Sequence, residues 1–166
     1  MMLPTIQIKD NFLDQKELEI LSNNIHKIQY APTLNESGNC GFRHNFNESL
    51  ENKWLFDKIK KQFFPNENLK VDNSSYHLRH NHKKVLAHRD DNDYNFLLYL
   101  KGKELIYNGT GFYHKNNLHT YLGFVENRAL FFDGRNNSHT NLQALGDSTP
   151  RYSINIFYNI NNETYT

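Results

Sequence analysis

The 166-residue chain is predicted to adopt an α+β fold, with two helices leading into a succession of short strands that form a small sandwich or barrel. Two observations carry this. Up to Pro65 the apolar residues recur at helical intervals, and beyond it they fall into short runs separated by turn residues. The chain also holds ten Tyr and twelve Phe, gathered in runs such as 94–99 and Phe131-Phe132. Aromatic residues favour the pleated, half-buried surface of a strand.

Taken in order, Pro4 to Ile8 reads as a short strand, and Asp10-Asn11-Phe12 leads from it into a helix. Leu13, Leu18, Leu21, Ile25 and Ile28 line one face of that helix, and Asp14 with Glu17 three places on has the form of a capping box. Tyr30 to Phe42, with Pro32, Gly38 and Gly41, reads as a polar loop. A second helix is expected from about Leu50 to Phe64, with Trp54, Leu55, Ile59, Phe63 and Phe64 on its apolar face and Pro65 ending it. Strands are then expected at Leu69 to Arg79, Val85 to His88, Tyr94 to Lys101, Glu104 to Tyr107, His119 to Phe124, Ala129 to Phe132 and Arg151 to Ile160. Lys101-Gly102, Asn108-Gly109, Asp133-Gly134 and Gly146-Asp147 supply turns between them.

The length fits one domain over residues 1–166, with helical support at about 10–65 and a β core at about 69–160. The formal net charge of +1 argues against an electrostatic hold on nucleic acid or acidic lipid. Cys40 is the only cysteine, which excludes an intramolecular disulfide and fits a reducing compartment. Asn-x-Ser/Thr triplets at Asn47, Asn73 and Asn108 follow from an Asn-rich composition. Met1 to Asp10 lacks the basic head and apolar run of a signal peptide, and no stretch approaches the roughly 18 apolar residues of a membrane span. A soluble cytoplasmic protein is expected.

The chemistry concentrates in His88-Arg89-Asp90 and a distant His139. On a strand, residues i and i+2 share a face, so His88 and Asp90 can aim together while Arg89 points away. His139 follows the Ala129 to Phe132 strand and its Asp133-Gly134 turn, and is the third ligand. Two imidazoles and one carboxylate leave coordination positions open, the facial arrangement of non-haem Fe(II) oxygenases that take a co-substrate and O2 there. His26, His44 and His114 read as surface or hydrogen-bonded imidazoles. His77, His80 and His82 are a denser cluster whose only carboxylate neighbour is Asp72, a poor second metal site.

Two other motifs overlap these residues and fail. His88-Arg89-Asp90 with Asn95 matches a kinase catalytic loop, but the Gly-rich loop, Lys-bearing strand and Asp-Phe-Gly motif are missing. Asp91-Asn92-Asp93 starts like a calcium loop, but Phe96 stands where Gly is required and Gly102 where Glu is.

Arg151 lies twelve positions after His139 (139 to 151) at the start of the last strand. There Arg151, Ser153 and Asn155 share one face, and Tyr152, Ile154 and Ile156 the other. An inward Arg is costly unless paired with an anion, and its fork suits a carboxylate. That carboxylate belongs either to a dicarboxylate co-substrate or to a protein side chain such as Asp147.

Arg151-Tyr152-Ser153-Ile154-Asn155-Ile156-Phe157-Tyr158, preceded by His139 and by His88-Arg89-Asp90, resembles the prolyl-hydroxylase branch of the 2-oxoglutarate/Fe(II)-dependent dioxygenases. Phe96-Leu97-Leu98-Tyr99-Leu100 resembles the family strand after the His-x-Asp motif, and Gly109-Thr110-Gly111-Phe112-Tyr113 a segment of small bacterial and phage-borne relatives. The likeness runs from about Ser75 to Tyr158. It implies a double-stranded β-helix (jelly roll) core with N-terminal supporting helices. It also implies Fe(II) held by His88, Asp90 and His139, and 2-oxoglutarate whose distal carboxylate meets Arg151 and the Tyr99 hydroxyl. Ser153 and Asn155 would line the same pocket. The implied reaction consumes O2, releases succinate and CO2, and hydroxylates a C–H bond of a peptidyl or small-molecule substrate. The alternative is a cupin-like β-helix protein that binds a metal or small molecule without oxidative turnover. The chain departs from the family pattern at Gly102-Lys103-Glu104-Leu105 and at Arg79-His80-Asn81, which leaves the substrate open among peptidyl proline, free amino acid, nucleobase or other metabolite.

Overall fold

The computed structural model of the protein describes residues 6–35, 38–79, 86–104, 108–140 and 150–161. Its architecture is mostly antiparallel sheet. The chain runs β1 (Ile6–Lys9), α1 (Gln15–Asn24), β2 (Ala31–Asn35), β3 (Gly38–Asn45), α2 (Lys53–Phe63), β4 (Leu69–Arg79) and β5 (Tyr94–Lys101). It continues through β6 (Thr110–His114), β7 (Asn117–Leu122), β8 (Ala129–Asp133), β9 (Ser138–Thr140) and β10 (Arg151–Ile160). Seven strands form one sheet in the order β1-β8-β5-β10-β4-β3-β2, and three form a second in the order β7-β6-β9.

Helix α1 begins where the sequence places it. The Asp14 carboxylate accepts from the Glu17 N–H at 2.9 Å and the Glu17 carboxylate accepts from the Asp14 N–H at 2.8 Å, satisfying two donors that the first turn would leave orphaned. Leu21 and Ile25 are buried, with Leu18 and Ile28 packed at the margin. The approach to the helix is pinned by Asn127, in the left-handed region at φ 63°. Its amide accepts from the Leu13 N–H and donates to the Leu13 carbonyl, both at 2.8 Å. Helix α2 starts three residues later than the expected Leu50. It buries Leu55, Phe56, Ile59 and Phe63, with Trp54 only partly covered.

The continuous apolar run of β5 serves two cores because successive strand residues face opposite ways. Phe96, Leu98 and Leu100 pack with Ala129 and Phe131 of β8, Ile154 and Ile156 of β10, and the helices. Leu97 and Tyr99 turn the other way and join Leu130, Phe132, Phe112 and Phe124 beneath the smaller sheet. Fully burying side chains of this kind contributes roughly 1.5–3 kcal/mol each. The helices therefore back one face of the large sheet, and the small sheet covers part of the other.

Several expectations change. The segment read as a polar loop is a β2–β3 hairpin, with Pro32 on the outermost strand, where a missing N–H costs no ladder bond. Thr110–His114 and Ser138–Thr140 are also strands that the sequence reading passed over, and the strand expected at 119–124 runs 117–122. Leu86 to His88 is not a strand; His88 makes one isolated bridge. Val85, Leu105 to Tyr107 and the Gly146-Asp147 turn lie outside the described residues, as do Pro4 and Thr5 of the first expected strand, and Glu104 has no regular structure. The strands at 69–79, 94–101 and 151–160 stand where expected.

Candidate metal centre and its cleft

His88 and His139 meet through their backbones: the His88 N–H donates to the His139 carbonyl at 3.1 Å and the His139 N–H to the His88 carbonyl at 2.8 Å. His139 lies on β9, its ring edge-on to Phe132 at 4.9 Å between centroids. Asp90 is held nearby by its N–H, which donates to the Gly134 carbonyl at 3.2 Å. The strand alternation invoked for His88 and Asp90 is thus replaced by this bridge and turn, and the convergence of the side chains still holds.

One ligand atom from each of His88, Asp90 and His139 lies within 4.8 Å of the others. His88 Nε2 is 3.6 Å from Asp90 Oδ1, and His139 Nε2 is 3.3 Å from Asp90 Oδ2. Each imidazole has its far nitrogen tied down: His88 Nδ1 is 3.0 Å from the Leu86 carbonyl and His139 Nδ1 is 3.0 Å from the Asn137 carbonyl. A carbonyl only accepts, so Nδ1 carries a proton in both rings and Nε2 is the nitrogen left facing inward. Two ring nitrogens then face a carboxylate across gaps of 3.6 and 3.3 Å, a donor set that a cation between them would tie together. This donor set fits a divalent first-row metal with open positions.

Burial alone would raise the Asp90 carboxyl. The hydrogen bond and charge of His139, the charge of His88 and the Asn95 amide outweigh it and hold the group below the usual carboxylate range. Asn95 Nδ2 donates to Asp90 Oδ2 in a short contact. Gly134 permits that placement, since a Cβ there would stand 2.9 Å from Asn95 Oδ1 and 2.9 Å from the Asn92 carbonyl oxygen.

One cleft collects the three triad residues with Arg151, Ser153 and Asn155. The expected sharing of a face by Arg151, Ser153 and Asn155 is confirmed by register, with Ser153 opposite Tyr99 and His77, and Asn155 opposite Leu97 and Ser75. The Ser153 hydroxyl donates to Asn155 Oδ1 at 3.2 Å. Arg151 is 3% exposed; its Nη1 donates to the Asn108 carbonyl in a short contact and to the Gly109 carbonyl at 3.3 Å, and the guanidinium sits 5.6 Å from the centre of the Tyr99 ring. Burial pulls its pKa down while the Tyr99 and Tyr121 hydroxyls push the other way. Tyr99 stands behind the cleft wall: its hydroxyl is 2.7 Å from Thr110 Oγ1, and Thr110 lines the cleft. Asp147 lies outside the described residues.

Arg43, His77, Arg79 and Asn95 also line this cleft and were missed as site residues. For His77 and Arg79 a signal was present, because Ser75, His77 and Arg79 alternate with Ser74, Tyr76 and Leu78 as Arg151, Ser153 and Asn155 do on β10. Arg43 had none, since it directly follows the segment read as a loop and no strand was expected there. His77 Nε2 is 2.9 Å from Ser75 Oγ, and burial with the charges of Arg79, Arg43 and Arg151 keeps the imidazole neutral far below its usual range. His44 is hydrogen-bonded to the Gln29 carbonyl at 2.9 Å and His26 lies edge-on to Tyr152, in line with their non-ligand reading. His80 and His82 lie outside the described residues.

No protein-family model and no curated protein sequence matches the chain. Solved structures do. An oxidoreductase of the 2OG-Fe(II) oxygenase family from Burkholderia pseudomallei superposes with a TM-score of 0.73 at 10% identity, covering 96% of this chain and 86% of that one. A Pseudomonas putida prolyl-4-hydroxylase gives 0.69 at 13% identity over 93% and 92%. The epimerase SnoN, in complex with Fe3+, α-ketoglutarate and nogalamycin RO, gives 0.72 at 11% identity over 93% and 78%. The chain is similar in fold to prolyl-hydroxylase-like 2-oxoglutarate oxygenases.

Proposed function

We propose that the protein is an Fe(II)- and 2-oxoglutarate-dependent dioxygenase built on a double-stranded β-helix with supporting helices, acting as one domain. The observation that supports it most is the convergence of His88, Asp90 and His139, with both Nδ1 atoms tied to carbonyls, in the same cleft as a buried Arg151. Fe(II) bound there would supply activation of O2 coupled to oxidative decarboxylation of 2-oxoglutarate. The balance is 2-oxoglutarate plus O2 plus R–H giving succinate, CO2 and R–OH.

The residues divide the remaining work. His88, Asp90 and His139 hold the metal through three ligands and leave adjacent positions for the co-substrate and O2. Arg151 pairs with the distal carboxylate, its fork fixed by the Asn108 and Gly109 carbonyls and the Tyr99 ring. Tyr99 reaches that carboxylate directly or through Thr110, and Ser153 with Asn155 lines the floor beneath it. Phe132 and Leu97 keep the inner wall dry. The substrate is a peptidyl or small molecule hydroxylated at carbon. One neighbour is a prolyl-4-hydroxylase and another an epimerase holding nogalamycin RO, so the fold serves both kinds.

Among the described residues no helix is long and apolar enough to cross a membrane. With Cys40 the only cysteine, a cytoplasmic setting is proposed.

Anaerobic addition of Fe(II) and 2-oxoglutarate to the purified protein is the test. A weak visible charge-transfer band, and succinate on admitting air, are expected. A band without succinate under any substrate panel would favour metal binding without turnover; neither signal would end the dioxygenase reading.

A further inference from the structure

The cleft holds more guanidinium groups than one dicarboxylate needs. Arg151 stands on its β5 side, against Tyr99. Across β4 and β3, Arg79 and Arg43 line the same cleft. The register places Arg79 beside Arg151, and His77 between Ser153 and Arg43, so these side chains share the site-facing side of the sheet. Gly41 lies against Arg79 with φ +131°; a Cβ there would stand 3.5 Å from Arg79 Cγ and 3.9 Å from its Nη1. Those are ordinary van der Waals distances; the positive φ and the Leu78 carbonyl oxygen, 3.2 Å from that Cβ position, are what call for glycine beside Arg79. Arg43 is half-buried and forms no ion pair among the described residues.

Like charges gathered on a partly buried floor repel one another, and a bound anion reverses the sign of that interaction. His77 stands opposite Arg43 on one side and Ser153 on the other, and Arg79 opposite Arg151, which fixes their common neighbourhood. In the reaction proposed above, one end of 2-oxoglutarate chelates the metal and Arg151 takes the other. That leaves the Arg43 side of the floor, two strands from β10, facing the remaining ligand.

We infer that Arg43 and Arg79 form a second anion subsite, and that the molecule oxidised at the metal carries a carboxylate or phosphate group which this subsite holds. The inference rests on the dioxygenase reading for the word oxidised, and on the cleft alone for the subsite. A guanidinium fork matches either anion bidentately, so the geometry names the charge and the experiment names the group.

The experiment is calorimetric titration of the protein, held anaerobic with Fe(II) and saturating 2-oxoglutarate, with inorganic phosphate, with N-acetylglycine and with neutral N-acetylglycinamide. One of the two anions is expected to bind and the amide not to, and whichever anion binds identifies the group. Arg43→Gln should weaken that anion about tenfold while changing the 2-oxoglutarate affinity less than about twofold, and Arg43→Lys should retain part of the binding. Thermal unfolding of both variants separates lost contact from lost fold, with Arg43→Lys as the better tolerated. Anion binding that competes with 2-oxoglutarate, that survives Arg43→Gln undiminished, or that is absent for both anions overturns the subsite. The same titration on metal-free protein separates the two readings. Arg43-dependent anion binding in a protein that takes up neither Fe(II) nor 2-oxoglutarate would keep the subsite and remove the dioxygenase.

Discussion

His88 and His139 exchange both backbone hydrogen bonds, at 3.1 and 2.8 Å, although His88 belongs to no strand. Two residues far apart in sequence are thereby set side by side with ring centroids 4.9 Å apart and both Nε2 atoms turned to Asp90. The backbone exchange, rather than the imidazoles, sets the distance between the two ligands. Replacing an imidazole should therefore remove a ligand without dismantling the bridge. His139→Ala is expected to lower Fe(II) affinity by more than about 100-fold and abolish the charge-transfer band, with far-UV circular dichroism unchanged. Anaerobic metal titration checks it.

Asn95 is expected to act on a metal bound by the triad through Asp90. Its amide donates to Asp90 Oδ2, and Gly134 leaves the space it occupies. Asn95→Leu should weaken metal binding about 10-fold while leaving the three ligands in place. Gly134→Ala should do the same by displacing the amide, at a cost of roughly 1–3 kcal/mol in stability. Equal Fe(II) affinity in wild type and both variants would remove Asn95 from this role.

Arg151→Ala is expected to raise the 2-oxoglutarate dissociation constant by about 10- to 100-fold with little change in Fe(II) affinity. Gly109→Ala tests the same pocket from behind. A Cβ at Gly109 would fall 1.9 Å from the Leu122 carbonyl oxygen, so the carbonyl that steadies Arg151 must move. Its 2-oxoglutarate affinity should fall as well, measured by the same anaerobic titration.

The buried His77 makes stability depend on pH. Its imidazole stays neutral in the fold because of burial and the charges of Arg79, Arg43 and Arg151, whereas in the unfolded chain it titrates near 6.5. Above that value neither state binds the proton and the group contributes no slope. Below it the unfolded state binds a proton that the native state refuses, so stability falls with pH by up to about 1.4 kcal/mol per unit until the depressed native value is reached. His77→Gln should flatten this part of a denaturation profile between pH 6.5 and 5. An unchanged slope in the variant would show that other groups set it.

On the helix face, Phe131 stacks on Phe63 at 5.5 Å and on Phe64 at 5.2 Å between centroids. Phe131→Ala should cost about 3–5 kcal/mol, read by urea unfolding. It should leave the Fe(II) affinity of the folded fraction near that of wild type, since the triad lies on the opposite face of β8.

The sequence revealed those parts whose signal is local. A capping box fixed the start of α1, and the long strands at 69–79, 94–101 and 151–160 carry enough apolar or alternating residues to declare themselves. The β2–β3 hairpin did not, because Pro32 and Gly41 are turn residues by habit and here sit in strands, one at an edge and one where the backbone takes a positive φ close to the Leu78 carbonyl. The triad was recognisable from residue type and order, yet the reason it converges was not, since a single bridge leaves no periodicity behind. Asn95 and Arg43 stayed hidden for a related cause. Their roles depend on which strands become neighbours, and that information is shared among distant segments.

The large sheet has two halves with different tolerances. At β5 and β8 both faces are apolar and filled, so any change there is paid twice, once in each core. At β3 and β4 the cleft-lining Arg43 and Arg79 are polar and only partly covered, and the helices do not depend on them. Ligand choice can therefore drift while the scaffold stands still. Descendants of this chain could exchange one substrate for another through a few codons on two adjacent strands, keeping the proposed metal and co-substrate sites and the core unaltered.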